Sequence, residues 1–409
     1  MKLIEANREI AKSTSWKDLN SKLEKLTKSD QAKFAGDIFE LTSKYFLKTD
    51  TKYRSILKNV WLLEEVPETI KLKLNLPDQD EGIDIIAETK NEKYWAIQSK
   101  YRSNPEENLT LGGKGGLATF NSLAFTYCKN ITHGIVITTV NKPPKKIKLI
   151  NDIGFETLES FLALDDNQNE GWKILQSCLL NKIIKPQKLY PKPHQIEGIN
   201  KAIEYFKFHD RGKIIMPCGT GKSLLGYWLA KEIEAKSILI AVPSLALIQQ
   251  TLKTWTREIA INDLNADWLC VCSDNTVKDD QDSFVSFTYD LGIQVTTNED
   301  DILKFLNRKT SNHKIIFTTY FSGKVIANAS KNFNYDLAIM DEAHKTVGHF
   351  DKLTAHLMHQ KNIKIKKRVF MTATERLFRA NPNEYLSMNS KKDYGDVIFD
   401  LSFKKEIKT

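Results

Sequence analysis

Two short stretches carry residue types whose spacing points to chemistry. In one, the apolar run Gly212 to Met216 opens into Pro217-Cys218-Gly219-Thr220-Gly221-Lys222-Ser223, and a helical pattern follows from Leu224 to Ala235. Gly219 and Gly221 can turn the backbone so that its N–H groups face phosphate oxygens, and the N-terminus of the following helix adds positive potential. At this spacing Lys222 reaches the β- and γ-phosphates of a nucleotide and the Ser223 hydroxyl ligates Mg²⁺. Met216 stands where the general pattern has its first glycine, so the match is to its relaxed form. In the other stretch, the run Tyr335 to Met340 ends in Asp341-Glu342-Ala343-His344. This places two carboxylates at the carboxyl edge of a parallel sheet, where ligands bind. Asp341 is suited to holding Mg²⁺ and Glu342 to polarising an attacking water. An acidic pair after a strand is often only a helix N-terminal charge cluster, and the phosphate loop upstream is what gives this one meaning.

The N-terminal half holds a third constellation. Gly82 to Glu88 and Lys93 to Tyr101 read as strands joined by the turn Lys90-Asn91-Glu92, with Asp84 on the first and Gln98-Ser99-Lys100 on the second. Gln98 and Lys100 are two apart and share a face, and a hairpin can bring Asp84 to them. Such a trio suits phosphodiester hydrolysis, with Asp84 and Gln98 as Mg²⁺ ligands and Lys100 positioning or helping to deprotonate water. Glu40, on the preceding helix, could add a carboxylate. On the bare residues a solvent-facing hairpin is the commoner explanation.

The elements that must position these residues alternate in texture. Leu19 to Lys48 has helical periodicity, with Leu23, Leu26, Phe34, Ile38, Phe39, Leu41 and Phe46 apolar, and predicts two helices. Ile70 to Leu76 and the two strands above read as a sheet. A glycine cluster at Gly112, Gly113, Gly115 and Gly116 then opens a helix ending near Asn130, and His133 to Val140 is a buried-type strand. Three prolines and four lysines between Asn181 and Pro193 suit neither helix nor sheet. The boundaries expected are a first domain over 1–180, a linker over 181–192 and a second domain over 193–409. In that second domain the strands Gly212 to Met216, Ser237 to Val242, Lys314 to Thr319, Leu337 to Met340 and Arg368 to Thr372 alternate with helices, the mark of a parallel α/β sheet.

Composition narrows the classes further. A chain of 409 residues with 41% hydrophobic and 27% charged residues is too apolar for wholesale disorder and too long for a single small module. Lys and Arg number 60 against 51 Asp and Glu, and the net charge of +9 suits a nucleic-acid partner. No stretch reaches the roughly 18 apolar residues of a membrane span, and the charged N-terminus lacks the apolar region of a secretion signal, so no membrane partner and a cytoplasmic location are expected. The five cysteines follow no paired spacing and read as reduced thiols. His349, His356 and His359 lack cysteines or acids at ligand spacing, and the lysine run from Lys142 to Lys148 reads as a solvated face.

Pro193 to about Leu401 resembles the first RecA-like lobe of superfamily 2 helicases and translocases. Asp341 to His344 matches that family's ATPase motif. Met371-Thr372-Ala373-Thr374, Ala241 to Leu245 and Thr318 to Ser322 look like its coupling and DNA-backbone motifs, and Gln195 matches its adenine-reading glutamine. Ala32 to Val140 resembles the Mrr-like branch of the PD-(D/E)xK nucleases, which often carries glutamine where Gln98 stands. The resemblance implies a restriction-endonuclease-like α/β domain followed by a RecA-like parallel α/β domain, with ATP and Mg²⁺ as cofactors and double-stranded DNA as partner.

The order of the two is similar to single-chain type I-like (type ISP) restriction enzymes, which move along duplex DNA before cutting. In them a second RecA-like lobe, a methyltransferase and a target-recognition domain lie further on. Tyr394 to Ile407 resembles the connector into that second lobe, so the chain is expected to be a fragment of a longer enzyme or a subunit completed by a partner. An arginine finger can be worth about 10³–10⁵ in rate, and the lobe alone is therefore expected to turn over ATP poorly. The function expected is an Mg²⁺-dependent DNA endonuclease fused to an ATP-driven translocase. The alternatives are a helicase or remodelling ATPase whose nuclease fold only binds DNA, and a non-enzymatic subunit that binds nucleotide to regulate a partner.

Overall fold

The computed structural model describes residues 2–77, 82–112, 116–144, 153–274, 287–349, 353–377 and 384–401. The chain divides into one unit formed by Met1–Gln187 with Tyr289–Gln294, and another formed by Lys188–Thr288 with Val295–Thr409. Among the described residues no helix is long and apolar enough to cross a membrane.

The first unit is built on a five-stranded sheet of β1 (Leu57–Leu62), β2 (Ile85–Thr89), β3 (Tyr94–Lys100), β4 (Ile131–Thr138) and β5 (Ile153–Glu156), in that spatial order. The first three strands pair antiparallel and the last three parallel. Continuous apolar runs such as Ile85-Ile86-Ala87 and Trp95-Ala96-Ile97 are buried because the sheet is covered on both faces. Ile86, Ala96 and Val136 pack with Leu117 and Phe120 on one side. The helix Ala32–Thr49 is tied to β3 by a 2.8 Å hydrogen bond between the Ser43 and Ser99 hydroxyls.

Two sequence expectations differ from the structure here. Ile70 to Leu76 is not a strand but lies largely in the helix Glu68–Leu74, bracketed by Pro67 at its N-cap and by Asn75 in the left-handed region (φ 51). Its alternation has no sheet to serve, for Leu74 is buried and Leu72 is 81% exposed. The strand that takes its place is β1. The helix expected to run to Asn130 is instead Leu117–Ser122 followed by the wider turn Leu123–Tyr127. Gly113 and Gly115, and Lys145, Lys146 and Lys148, fall outside the described residues.

Segment 289–294, expected inside the second domain, belongs to the first unit. Leu291 and Ile293 are buried. Lys52 Nζ donates to Leu291 O at 2.9 Å, and the Tyr53 hydroxyl lies 2.7 Å from Gly292 O and 2.5 Å from Glu156 Oε1. Gly292 has φ +63, and a Cβ there would strike the Glu156 carboxylate, so the socket accepts only glycine.

The second unit has an eight-stranded parallel sheet. In chain order its strands are β6 (Arg211–Ile215), β7 (Ser237–Val242), β8 (Ala266–Val271), β9 (Val295–Thr296), β10 (His313–Thr319) and β11 (Asn334–Met340). A small ribbon of β12 (Gly348–His349) and β14 (Tyr385–Leu386) flanks β13 (Lys364–Thr372) in sequence, and β15 (Asp396–Asp400) closes the list. The spatial order is β15-β6-β13-β11-β7-β10-β8-β9. Strand β13 therefore lies between β6 and β11, so the loop after β6 and the acids after β11 open on either side of its end. Within β13, Arg368 is fully buried, and its guanidinium reaches Gln360 Oε1 at 2.6 Å and the carbonyls of Ile363 and Ile365 at 3.0 and 3.3 Å.

Candidate active sites

At the carboxyl edge of the parallel sheet the phosphate loop and the acid pair meet. Gly219 (φ +80) and Gly221 (φ +84) make the left-handed turns that only glycine adopts cheaply, and the helix Lys222–Glu232 starts immediately after. Lys222 Nζ lies 3.1 Å from Glu342 Oε1 and 3.4 Å from Met216 O. Ser223 Oγ is buried and without a hydrogen-bond partner. A buried hydroxyl left in that condition, one residue past the lysine, fits a hard cation that takes oxygen ligands.

Asp341 is buried, its N–H donates to Ala241 O at 2.9 Å, and its Oδ1 accepts the Glu342 N–H at 2.9 Å. Burial, followed by the adjacent Glu342 carboxylate, pushes the Asp341 pKa up to about 6, with Lys222 and the Glu342 N–H opposing. A cation there would reverse that shift. Glu342 itself sits at φ 48, a conformation costing a non-glycine residue on the order of 1–3 kcal/mol, of a kind that clusters at functional sites. Its two oxygens are divided, Oε1 facing Lys222 and Oε2 facing His344 Nδ1 at 3.3 Å.

His344 Nδ1 is also 3.0 Å from Thr372 Oγ1 at the end of β13. Thr372 Oγ1 donates to Thr374 O at 2.8 Å and so is left to accept the imidazole N–H. Burial lowers the His344 pKa, against the pull of Glu342, which favours the neutral ring. Sequence reasoning quoted both residues in motifs without assigning them to the site. The Tyr320 hydroxyl donates to Asp341 O at 2.6 Å; the residue lies in the Thr318 to Ser322 motif, but no local pattern announces a tyrosine that acts 21 residues away.

Gln195, expected to be the adenine-reading glutamine, lies against the phosphate loop. It is 2% exposed, Oε1 accepts the Lys192 N–H at 2.8 Å, and Nε2 lies 3.3 and 3.2 Å from the carbonyls of Thr220 and Gly221. In this state it braces the phosphate loop from behind. Thr220 adds its own tie, Oγ1 donating to Pro217 O at 2.7 Å.

In the first unit, the regular pairing of β2 with β3 reaches Ile85 opposite Ile97, and the Asp84 N–H also reaches Ile97 O at 3.0 Å. Two residues thus oppose one, the geometry of a bulge that re-aims a side chain. The Asp84 carboxylate accepts the Ser99 N–H at 2.5 Å, which sets it between Gln98 and Lys100 along the strand. Gln98 is 4% exposed, and its Nε2 donates to Gly82 O at 2.9 Å. That bond fixes the amide and leaves Oε1 buried without a partner. Lys100 is half-buried at the end of β3, where its carbonyl accepts the Thr138 hydroxyl at 2.8 Å. Glu40, also half-buried, is one turn before Ser43 on the helix that touches Ser99. Hydrogen bonds bring Asp84, Gln98 and the backbone before Lys100 together, and Glu40 stands on the helix whose Ser43 hydroxyl bonds the Ser99 hydroxyl. The orphaned Gln98 Oε1 near a carboxylate fits a hard cation, although among the described residues no group of three His, Cys, Asp or Glu is arranged as a metal site.

With this geometry in view, the comparisons with known proteins are decisive at the level of domains. The family profile described as restriction endonuclease matches residues 48–157, and the one described as type III restriction enzyme, res subunit, matches residues 188–377. In order along the chain, one region is thus similar to a restriction endonuclease domain and the next to the res subunit of a type III restriction enzyme. The probable helicase A859L of African swine fever virus is 27% identical over 208 residues, which is 50% of this chain and 21% of that protein. The general transcription and DNA repair factor IIH helicase/translocase subunit XPB2 of Arabidopsis thaliana is 24% identical over 238 residues, 58% of this chain and 27% of that one. The chain thus spans about a fifth to a quarter of the length of these relatives. The ATP-dependent type ISP restriction-modification enzyme LlaBIII, solved bound to DNA, aligns with a TM-score of 0.70 and 24% identity over 91% of this chain and 24% of its own. That likeness establishes the α/β fold described above.

Proposed function

We propose that the chain is an ATP-dependent DNA-cleaving machine in part, with an Mg²⁺-dependent endonuclease centre at Asp84, Gln98 and Lys100 and the leading lobe of a motor that moves along duplex DNA. The observation that carries the motor half is the 3.1 Å approach of Lys222 to Glu342 beside the unpartnered Ser223 hydroxyl, a phosphate site assembled against its own acid. Lys222 exchanges Glu342 for nucleotide phosphate, and Glu342 is thereby released to take a proton from water. Ser223 and Asp341 would hold one Mg²⁺, and Asp84 with Gln98 Oε1 another. The ions supply charge stabilisation and a more acidic bound water. Lys100 holds the attacking water or the scissile phosphate by its charge, and Glu40 lends a further carboxylate. Arginines from a second lobe complete the ATP centre, and methyltransferase and target-recognition domains act in the whole enzyme. DNA contacts by this chain are chiefly to phosphates.

One observation favours a second reading, in which the nuclease fold only binds DNA. Gln98 is neutral, and a neutral amide pulls a hard cation less than a carboxylate. Supercoiled DNA with Mg²⁺ separates the two. Nicking by the parent that is lost in Lys100→Ala and Asp84→Asn, with DNA binding kept, supports cleavage, and no nicking by the parent with any divalent metal refutes it. For the motor, Lys222→Ala should abolish Mg·ATP binding, and retained binding would refute the assignment.

A further inference from the structure

Glu342 stands at φ 48 and ψ 46, the left-handed region that a non-glycine residue keeps only where its surroundings over-determine it. Ties from elements far apart in sequence supply that determination. The Tyr320 hydroxyl, in the turn Tyr320–Ser322 after β10, donates to Asp341 O at 2.6 Å, on the peptide that precedes Glu342. The N–H of that same peptide donates to Asp341 Oδ1 at 2.9 Å, so the unit is held through both its polar groups. On the other side, Thr346 Oγ1 donates to Ala343 O at 2.7 Å and lies 2.7 Å from the Tyr394 hydroxyl. The single proton of the threonine goes to Ala343, so Tyr394 is the donor to Thr346. Tyr320, Thr346 and Tyr394 are all fully buried, and the Tyr394 ring packs on Phe370 of β13 with centroids 5.0 Å apart. A buried tyrosine hydroxyl usually finds some partner. Here two of them converge on the residues either side of one strained glutamate.

We propose that Tyr320 is a positioning residue for ATP hydrolysis: supported by Tyr394 through Thr346, it fixes the Glu342 backbone so that the carboxylate stays between Lys222 and His344. This rests on the reading that the second unit hydrolyses ATP with Glu342 as the base. In that reaction the water oxygen bonds the γ-phosphorus, the water proton passes to Glu342, and the bond from phosphorus to the bridging oxygen breaks to release ADP. Without the Tyr320 hydroxyl the peptide before Glu342 is free to turn. Its φ then relaxes toward the right-handed region, and the carboxylate swings away from the 3.1 Å approach to Lys222 and the 3.3 Å approach to His344. Lys222, Ser223 and the Asp341 side chain keep their places, so nucleotide is still bound. A reacting group displaced by about 1 Å can cost roughly 10²-fold in rate.

The test measures Mg·ATP affinity and single-turnover hydrolysis by the full chain in excess over nucleotide, which reads slow rates directly. Tyr320→Phe should keep the parental affinity while its rate falls about 10²-fold. Tyr394→Phe should slow hydrolysis by less, because it acts through Thr346. Tyr335→Phe is the control, for it deletes another fully buried hydroxyl of the same unit, 2.9 Å from Ser330 Oγ at the amino end of β11, and should keep the parental rate. Added to Glu342→Gln, Tyr320→Phe should slow hydrolysis no further, since the group it positions has already gone. A parental rate in Tyr320→Phe, an equal fall in Tyr335→Phe, a further fall in the Glu342→Gln background, or loss of Mg·ATP binding by Tyr320→Phe overturns the positioning role and leaves the motor reading intact. A Glu342→Gln chain as fast as the parent, or a parent that binds Mg·ATP without hydrolysing it, overturns the reading of Glu342 as the base and this inference with it.

Discussion

Adding one methyl group at each glycine of the phosphate loop should have unequal effects. Gly219 and Gly221 have almost the same φ, +80 and +84, so alanine at either pays a similar left-handed penalty of about 1–2 kcal/mol. Their surroundings differ. A Cβ at Gly219 meets nothing within 4 Å, whereas one at Gly221 would lie 2.5 Å from Gln195 Nε2. Gln195 cannot step aside freely, because Nε2 is held by the Thr220 and Gly221 carbonyls and Oε1 by the Lys192 N–H. Displacing it forfeits up to three hydrogen bonds at about 0.5–1.5 kcal/mol each. Gly221→Ala should therefore destabilise the second unit by about 1–4 kcal/mol more than Gly219→Ala in urea unfolding without nucleotide. Adding Gln195→Ala should cost less in the Gly221→Ala background than in the parent, since the obstacle has gone. Equal destabilisation by the two alanines, or strictly additive behaviour of the pair, would refute the argument that Gln195 braces the loop.

Three further outcomes follow from buried groups and bound ions. Arg368→Ala leaves the carbonyls of Ile363 and Ile365 without their donor, at about 1–3 kcal/mol each, and should lower the unfolding midpoint of the second unit in a thermal melt. Glu258 is 1% exposed, and burial raises its pKa against the pull of Arg257. The unfolded chain ionises it first as pH rises, so its contribution to stability falls from the unfolded pKa near 4.3 up to the raised folded value. Glu258→Gln should be more stable than the parent at pH 7, with the gap closing towards pH 4 in urea titrations; a gap that widens on acidification would count against this. Chelation of divalent ions should stop nicking and weaken ATP binding while duplex binding, measured by fluorescence anisotropy, persists.

The parallel sheet was legible because its strands are short, apolar and separated by helices, and because the phosphate loop and acid pair are defined by local spacing. Ser237–Val242 was located to the residue. The antiparallel side of the first unit was less legible. Ile70 to Leu76 alternates like a strand yet forms a helix, since alternation signals a strand only where a sheet stands ready to receive it. Leu57–Leu62 carries Lys58 and Asn59 among its apolar residues and gives a weak pattern, but finds β2 as a partner. In the candidate sites the residue types could be read, and their second partners could not. The Ser99 N–H on Asp84, the Gly82 carbonyl on Gln98 and the hydroxyl of Thr372 on His344 are contacts made by tertiary proximity. The loop-facing posture of Gln195 was hidden for the same reason.

The six residues from Tyr289 to Gln294 make the boundary between the halves of this protein unlike a cut in a string. Anyone transplanting the first unit onto a different second unit by severing the gene near residue 187 would leave behind the piece that fills the pocket of Lys52, Tyr53 and Glu156. A graft that keeps the glycine-centred plug, supplied as a short appended peptide or a rewired loop, should outperform the clean excision.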